Sequence, residues 1–400
     1  MSNAVTINLG LVLLVASVVA IITQRMRLPY IVGLVAAGIL LASVPIVSGA
    51  FLSPDEIYTI LLPPLIFDAA LQLSWAPFRR DLPVILTLAF AGVAIAAVIV
   101  GAGMHLLAGW GWVGAALFGV LIAATDPVSV VATFKETKVA ARLSLLVESE
   151  SLLNDGAAAV GFAVLLAANG NSDLGWASLI ALSVWKVFGG LVIGGGLAGA
   201  LLLLASHAED HLVEITLTTI AAYAAFLIAE SFQTSGVLAS LSAGMVVRNV
   251  GWRGHISESG RGHVLSFWAY AAFLANSVVF ILIGLHEAAQ GRRLLTQTTL
   301  VAVVLASLGR VGAVYPLSAI FSRSVLAVDI RHQHVLVWGG LRGALGLVLA
   351  LALALPDTLP EKDEMIAATF AVVAFSIFGQ GLTMPLIVRR LGLVQNDEGP

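Results

Sequence analysis

Between residues 4 and 390 the sequence returns again and again to a mostly apolar run about as long as a lipid bilayer is thick, and no other feature restricts its fold as severely. In hydrocarbon every backbone N–H and C=O must find a partner within the protein, so only helices and closed barrels can cross. The runs lack the strict two-residue alternation that a barrel strand needs for its lumen face, which leaves helices. Thirteen spans are expected, near residues 4–23, 30–47, 56–74, 82–107, 112–135, 144–168, 177–205, 210–230, 233–248, 264–286, 297–321, 333–355 and 364–390. The division at 230–233 is the weakest, and without it there would be twelve. Of the 400 residues, 59% are hydrophobic and 11% charged. With a mean hydropathy of +1.01, this is an all-α polytopic membrane protein with no soluble domain.

Orientation follows from counting Lys and Arg on alternate sides of the spans, because cytoplasmic loops carry the excess. Fourteen fall on one side: Arg25, Arg27, Arg79, Arg80, Lys135, Lys138, Arg142, Arg248, Arg253, Arg261, Arg323, Arg331, Arg389 and Arg390. Three, Arg292, Arg293 and Lys362, fall on the other, and Lys186, Arg310 and Arg342 lie inside spans. The expected topology has the N-terminus outside and the C-terminus inside, in the plasma membrane. Merging two spans would reverse the second half, so the charges favour thirteen. The first span has no basic residue before it and two behind it, the reverse of a cleaved signal. Ten residues follow Arg390, too few for a cytosolic regulatory module. Cysteine is absent, so disulfide and thiol chemistry are excluded. The net charge of −3 and the scattered basic residues give no sign of a nucleic-acid partner, and none is expected. No metalloprotease helix, phosphate loop or serine elbow occurs, so neither an enzyme nor a cofactor is expected.

An ionisable side chain near the bilayer centre costs about 2.5–3.5 kcal/mol on insertion scales, so each needs a partner, a water-filled cavity or a role. Seven sit at such depth: Asp68, Asp126, Glu150, Asp155, Lys186, Arg310 and Arg342. On the sixth span, Glu150, Ser151, Asn154 and Asp155 share one helical face, Glu150 over Asn154 and Ser151 over Asp155. Leu152, Leu153, Ala157 and Val160 form the opposite face, open to lipid or other helices. Glu148 is expected to be a solvated helix end, whereas Asp155 lies close to the midplane. Arg310 needs an acid, and Glu150 is the natural one. Lys186, next to Trp185, is as well suited to snorkelling as to transport. His207, His211, His255, His263, His332 and His334 gather toward the cytoplasmic side as loop or interfacial residues, and Trp110, Trp112, Trp176 and Trp252 at span ends form an aromatic belt.

Two spans carry interruptions. In A-A-T-D-P-V-S-V at 123–130, Pro127 removes a backbone donor and pushes the residue before it out of helical geometry, so Asp126 should sit at a break. In G-G-L-R-G-A-L-G at 339–346, four glycines surround Arg342, which predicts an unwound segment whose charge complements exposed carbonyls. These are the fifth and twelfth spans. Two six-span repeats, 1–168 and 210–390, joined by a connector at 177–205, would place them at equivalent positions and invert the second repeat. Paired broken helices in inverted repeats mark the ion site of a secondary transporter.

The sequence resembles the monovalent cation:proton antiporters of the NhaP/NHE type. The resemblance rests on L-L-P-P-L-I-F-D-A at 61–69, A-T-D-P-V at 124–128, E-S-L-L-N-D-G at 150–156, S-G-V-L-A-S-L-S-A-G at 235–244, G-R-V at 309–311 and W-G-G-L-R-G-A at 338–344. It implies a thirteen-helix inverted-repeat fold with crossed, discontinuous helices 5 and 12, usually a homodimer in membrane lipid. It also implies that Asp155 binds the cation and the proton, with Asp126, Thr125 and Ser151 completing a sodium site and Asn154 filling the position before the key aspartate. Electrogenic relatives have a second aspartate there, so the N-D pair implies one cation per proton. Glu150 and Arg310 correspond to the family's buried pair, and Arg342 to the arginine of the crossed helices. Asp68 departs from the glutamate of many relatives, which weakens a direct contact with the ion. The short tail fits a compact prokaryotic form. Potassium or mixed-cation exchange, a cation channel and an intramembrane aspartyl protease using Asp126 and Asp155 are the alternatives; the protease signature G-x-G-D is missing.

Overall fold

The computed structural model of the chain describes residues 3–26, 28–42, 54–126, 130–131, 134, 139–170, 175–206, 210–290, 296–342 and 359–394. Pro127, the second halves of the fifth and twelfth spans, Lys135, Lys138, His207, Arg292, Arg293 and glycines 343 and 346 lie outside or largely outside them. Among the described residues thirteen helical spans can be followed. They are α1 (Asn3–Met26), α2 (Tyr30–Leu41), α3 (54–72), α4 (Trp75–Ala108), α5 (Trp112–Ala123), α6 (Ala141–Gly170) and α7 (Trp176–Ala205), then α8 (His211–Ser231), α9 (Gly236–Asn249), α10 (Glu258–Gln290), α11 (Gln297–Ile320), α12 (Ile330–Trp338) and α13 (Lys362–Arg390). Seven of these are long and apolar enough to cross a bilayer. The only β-contact among the described residues is an isolated bridge between Val139 and Val394.

Local chemistry sets several boundaries. Between α8 and α9 the chain leaves the helix at Phe232, and Gln233 takes a left-handed φ of 57°. Ser235 then caps α9 by accepting the Leu238 N–H. The doubtful division is therefore real, and thirteen spans stand rather than twelve. Lys186 is placed at this turn, its Nζ donating to the Gln233 carbonyl at 2.9 Å. Asp210 and Asp329 cap α8 and α12 in the same manner as Ser235, and Thr296 with Thr299 forms a capping box for α11.

Among the described residues, three spans contain a wider π-helical stretch, at Ile57–Leu61, Thr87–Ala91 and Phe375–Gly381. The first has a readable cause. Pro63 and Pro64 lack N–H groups, so the carbonyls four residues before them lose their intrahelical donors, and the preceding turn widens. One of those carbonyls, Ile60 O, instead accepts from Tyr223 Oη at 2.9 Å.

The chain forms two compact units, each drawing on both halves of the sequence. Unit 1 comprises Met1–Asp55, Pro83–Asn154 and Ser277–Pro400; unit 2 comprises Glu56–Leu82 and Asp155–Asn276. Inside unit 1, α4 packs along both α5 and α11, and α11 packs on α13. Inside unit 2, α9 is covered by α3, α7 and α8 around a core that includes Phe67, Leu71, Ala225 and Trp268. The α7–α9 approach is close enough that a Cβ at Gly194 would meet the Ala239 carbonyl, the kind of small-residue contact by which helices associate in lipid.

Candidate ion-binding site

Both predicted interruptions begin within the described residues. Helix α5 stops at Ala123, Ala124 turns to extended backbone (φ −57°, ψ 139°), and Thr125 and Asp126 are not helical. Helix α12 stops at Trp338, directly before the glycines that predict the unwound segment, and residues 340–342 are irregular. The two breaks bond to each other, the Asp126 N–H donating to the Leu341 carbonyl at 2.7 Å.

A helix that stops inside a protein leaves carbonyls unpaired and a partial negative charge at its end. Two arginines answer this. Arg342 Nη1 donates to the Ala123 and Ala124 carbonyls at 2.8 and 3.2 Å, and its Nη2 to the Ala306 carbonyl at 3.2 Å. Arg310 Nη2 donates to the Leu336 carbonyl, in the last turn of α12, at 2.8 Å. The expected pair is also formed: Arg310 Nη1 and Nη2 meet the two oxygens of Glu150 at 2.7 and 3.0 Å. Both partners are buried, Arg310 at 6% and Glu150 at 2% exposure. Gly340 leaves room for this arrangement, since a Cβ there would lie 2.5 Å from Arg310 Nε.

The polar face of α6 is turned into this network. Asn154 Oδ1 accepts the Thr125 N–H at 3.1 Å, while its Nδ2 donates to Thr125 Oγ1 at 2.6 Å and to Glu150 Oε1 at 3.1 Å. Thr125 Oγ1 and Ser151 Oγ lie 3.0 Å apart. Thr125, Glu150, Ser151 and Asn154 are all buried. Asp126, beyond Thr125, and Asp155, beyond Asn154, are not fully enclosed. From Ser149 to Val160 every residue is buried except Asp155. The structure thus brings Thr125, Ser151, Asn154, Glu150, Arg310 and Arg342 into one network; Asp155 follows Asn154 on the same helix, and Asp68 lies half-buried on α3 of unit 2.

The structure corrects the placing of Trp110 and sharpens the reading of other side chains. Of the two neighbours open to the apolar face of α6, lipid or other helices, the structure gives other helices: Leu152, Leu153, Ala157 and Val160 are all buried by packing. Glu148 is only part-exposed and accepts from Ser144 Oγ at 3.0 Å. Trp110 leaves the proposed aromatic belt: it is 2% exposed and its Nε1 donates to Glu364 Oε2 at 2.9 Å. Trp112 and Trp176 keep their outward positions. Ser376 was missed altogether. Its Oγ, in the π-helical stretch of α13, accepts the Arg342 N–H at 2.8 Å and donates to the Arg342 carbonyl at 3.4 Å, replacing helix bonds that the break removes. A serine and a glutamine within the apolar run F-S-I-F-G-Q-G at 375–381 were the available signal.

Helical spans enclosing two interrupted helices that face each other across a charged network define a secondary transporter. The chain belongs to the transmembrane sodium/hydrogen exchanger family, whose profile matches residues 12–390. It is 35% identical over 386 residues to the Na(+)/H(+) antiporter NhaS2 of Synechocystis, covering 96% of this chain and 70% of that protein. It is 36% identical over 371 residues to the Na(+)/H(+) antiporter ApNhaP of Aphanothece halophytica, covering 92% and 70%. The fold is that of the sodium proton antiporter MjNhaP1 from Methanocaldococcus jannaschii, with a TM-score of 0.75 at 19% identity, covering 97% of this chain and 98% of that one.

Proposed function

We propose that this multi-pass membrane protein is a sodium/proton antiporter that exchanges one sodium ion for one proton, with Asp155 as the group both ions share. The observation that carries this reading is the pairing of Asn154 with Asp155. Asn154 is fully buried and spends its amide on Thr125 and Glu150, whereas Asp155 is the one position between Ser149 and Val160 that is not buried. A neutral, fully bonded residue contributes no titrating charge, so one carboxylate is left to alternate between proton and cation. Sodium entering as the proton leaves converts a protonated Asp155 into a sodium carboxylate, and the charge of the site is the same in both loaded forms. Oxygens from Asp155, Asp126, Ser151 and Thr125 suit a small hard cation that has shed water.

In this scheme Glu150, Arg310 and Arg342 do not carry the ion. They hold the broken helix ends in place, so that the site survives a change of access from one side of the membrane to the other. Asp68 takes a structural or gating part. The chain acts as a homodimer in membrane lipid, its N-terminus outside and its C-terminus in the cytoplasm, with repeats 1–168 and 210–390 related by inversion about the connector.

The test is dequenching of a pH dye in proteoliposomes on addition of sodium, lithium or potassium, with and without an imposed membrane potential. Sodium should drive proton movement at a rate that the potential leaves unchanged. Asp155→Asn should abolish the signal while the protein still elutes as a folded species. Cation-driven proton movement retained in that variant would sink the assignment, and a potential-dependent rate would sink the one-for-one exchange.

A further inference from the structure

One end of unit 2 gathers arginines with too few acceptors. The start of α4 is stitched to the end of α9: the Trp75 N–H donates to Asn249 Oδ1 at 2.7 Å, and Arg248 Nη2 donates to Ser74 Oγ at 3.1 Å. Arg248 also lies over the Trp252 ring, 3.6 Å from its centroid. Arg261, in the first turns of α10, donates to the Trp252 carbonyl at 2.6 Å. The two guanidiniums are close enough to repel each other. Arg79, Arg80 and Arg253 are exposed on the same segments.

Four polar nitrogens here are buried and have no hydrogen-bond partner among the described residues: Arg248 Nε, Arg261 Nε, Trp252 Nε1 and His255 Nδ1. Three are obligate donors and the fourth is one in the appropriate tautomer. The neighbouring carboxylate, Glu214, is already engaged by the Ser257 N–H at 2.7 Å and the Ser257 hydroxyl at 3.2 Å. Glu258 is exposed at the start of α10. Donors clustered without acceptors, with repelling charges among them, call for an acceptor-rich anion.

We propose that Arg248, Trp252, His255 and Arg261 bind the phosphate of an anionic phospholipid headgroup. Guanidinium forks match phosphate oxygens in geometry as well as charge. The site stands at helix ends, where headgroups lie, on the side with the basic excess, and anionic lipid is drawn to such clusters. Trp75 and Val250, 41% and 43% exposed, supply an apolar rim for the start of an acyl chain.

The test uses the purified full chain, stripped of lipid in detergent and titrated with phosphatidylglycerol, phosphatidylcholine or inorganic phosphate while its melting temperature is followed. Phosphatidylglycerol should raise the melting temperature saturably, and the other two should not. The Arg248→Gln, Arg261→Gln double variant should bind phosphatidylglycerol about tenfold more weakly or worse, the scale of a lost charge-assisted hydrogen bond. Arg323→Gln, at an exposed arginine of unit 1, should bind it unchanged. Arg261 also holds a backbone carbonyl, so Arg248→Lys, which keeps the charge but loses the fork, is the variant that separates binding from folding; it should melt normally without lipid and bind more weakly. Equal stabilisation by phosphatidylcholine, or unchanged affinity in both arginine variants, would overturn the proposal. A shift produced by inorganic phosphate alone would overturn the lipid assignment.

Discussion

Asn154 illustrates how one residue can be named by its chemistry and still have its work decided by its neighbours. Its neutrality is plain in the sequence, but its three bonds to Thr125 and Glu150 are not, because they join a helix to a break 29 residues earlier in the chain. They make a specific demand. Asn154→Asp replaces the Nδ2 donor with a carboxylate oxygen facing Glu150 Oε1, now 3.1 Å from that nitrogen. The lost donors alone cost about 1–3 kcal/mol, and like-charge repulsion adds to this. That variant is expected to melt clearly below Asn154→Ala, which loses the bonds without adding charge. Equal melting of the two in the purified protein would show that Glu150 does not constrain the position.

Helices in lipid have to settle their backbone bonds internally, and α3 shows how a sequence with two adjacent prolines does so. The π-helical stretch before Pro63 and Pro64 leaves Ile60 O to Tyr223. Tyr223→Phe should therefore destabilise unit 2 by about 1 kcal/mol, because no water is at hand to replace the hydroxyl. Pro64→Ala restores an N–H four residues beyond Ile60 and should reduce the penalty of Tyr223→Phe when the two are combined. Thermal melting of the four combinations checks this; strictly additive losses would refute the explanation. The unwound segment of α12 begins at Gly339, where the glycines at 339 and 340 foretold it, but that Gly340 makes room for the Arg310 side chain of another helix was not legible in the segment itself.

At the scale of the whole molecule, the thirteen spans and their proposed direction rest on hydropathy and on where Lys and Arg fall. The absence of cysteine offers a direct check. Single cysteines at Gln297, the first residue of α11, and at exposed Arg323, beyond its other end, should differ in whole cells: a membrane-impermeant maleimide should label Gln297→Cys and spare Arg323→Cys until the cells are opened. The opposite pattern would invert the topology. The compact units follow a different division from the proposed repeats, since each takes segments from both halves of the chain.

By itself the sequence determined the fold class, the number of spans, the two interruptions, the Glu150–Arg310 pair and the family. The spans and the interruptions are imposed segment by segment, by the thickness of a bilayer and the geometry of proline and glycine; the pair follows from the cost of an unpaired charge in lipid, and the family from motifs that the sequence shares with it. Only the tertiary structure decided that Arg342 meets the carbonyls of Ala123 and Ala124, that Arg310 also holds the end of α12, that Ser376 stands in for lost helix bonds, and that Trp110 faces inward. Those outcomes depend on distances between helices far apart in the chain. A donor needs an acceptor within about 3 Å, and no local pattern says which helix will bring it there.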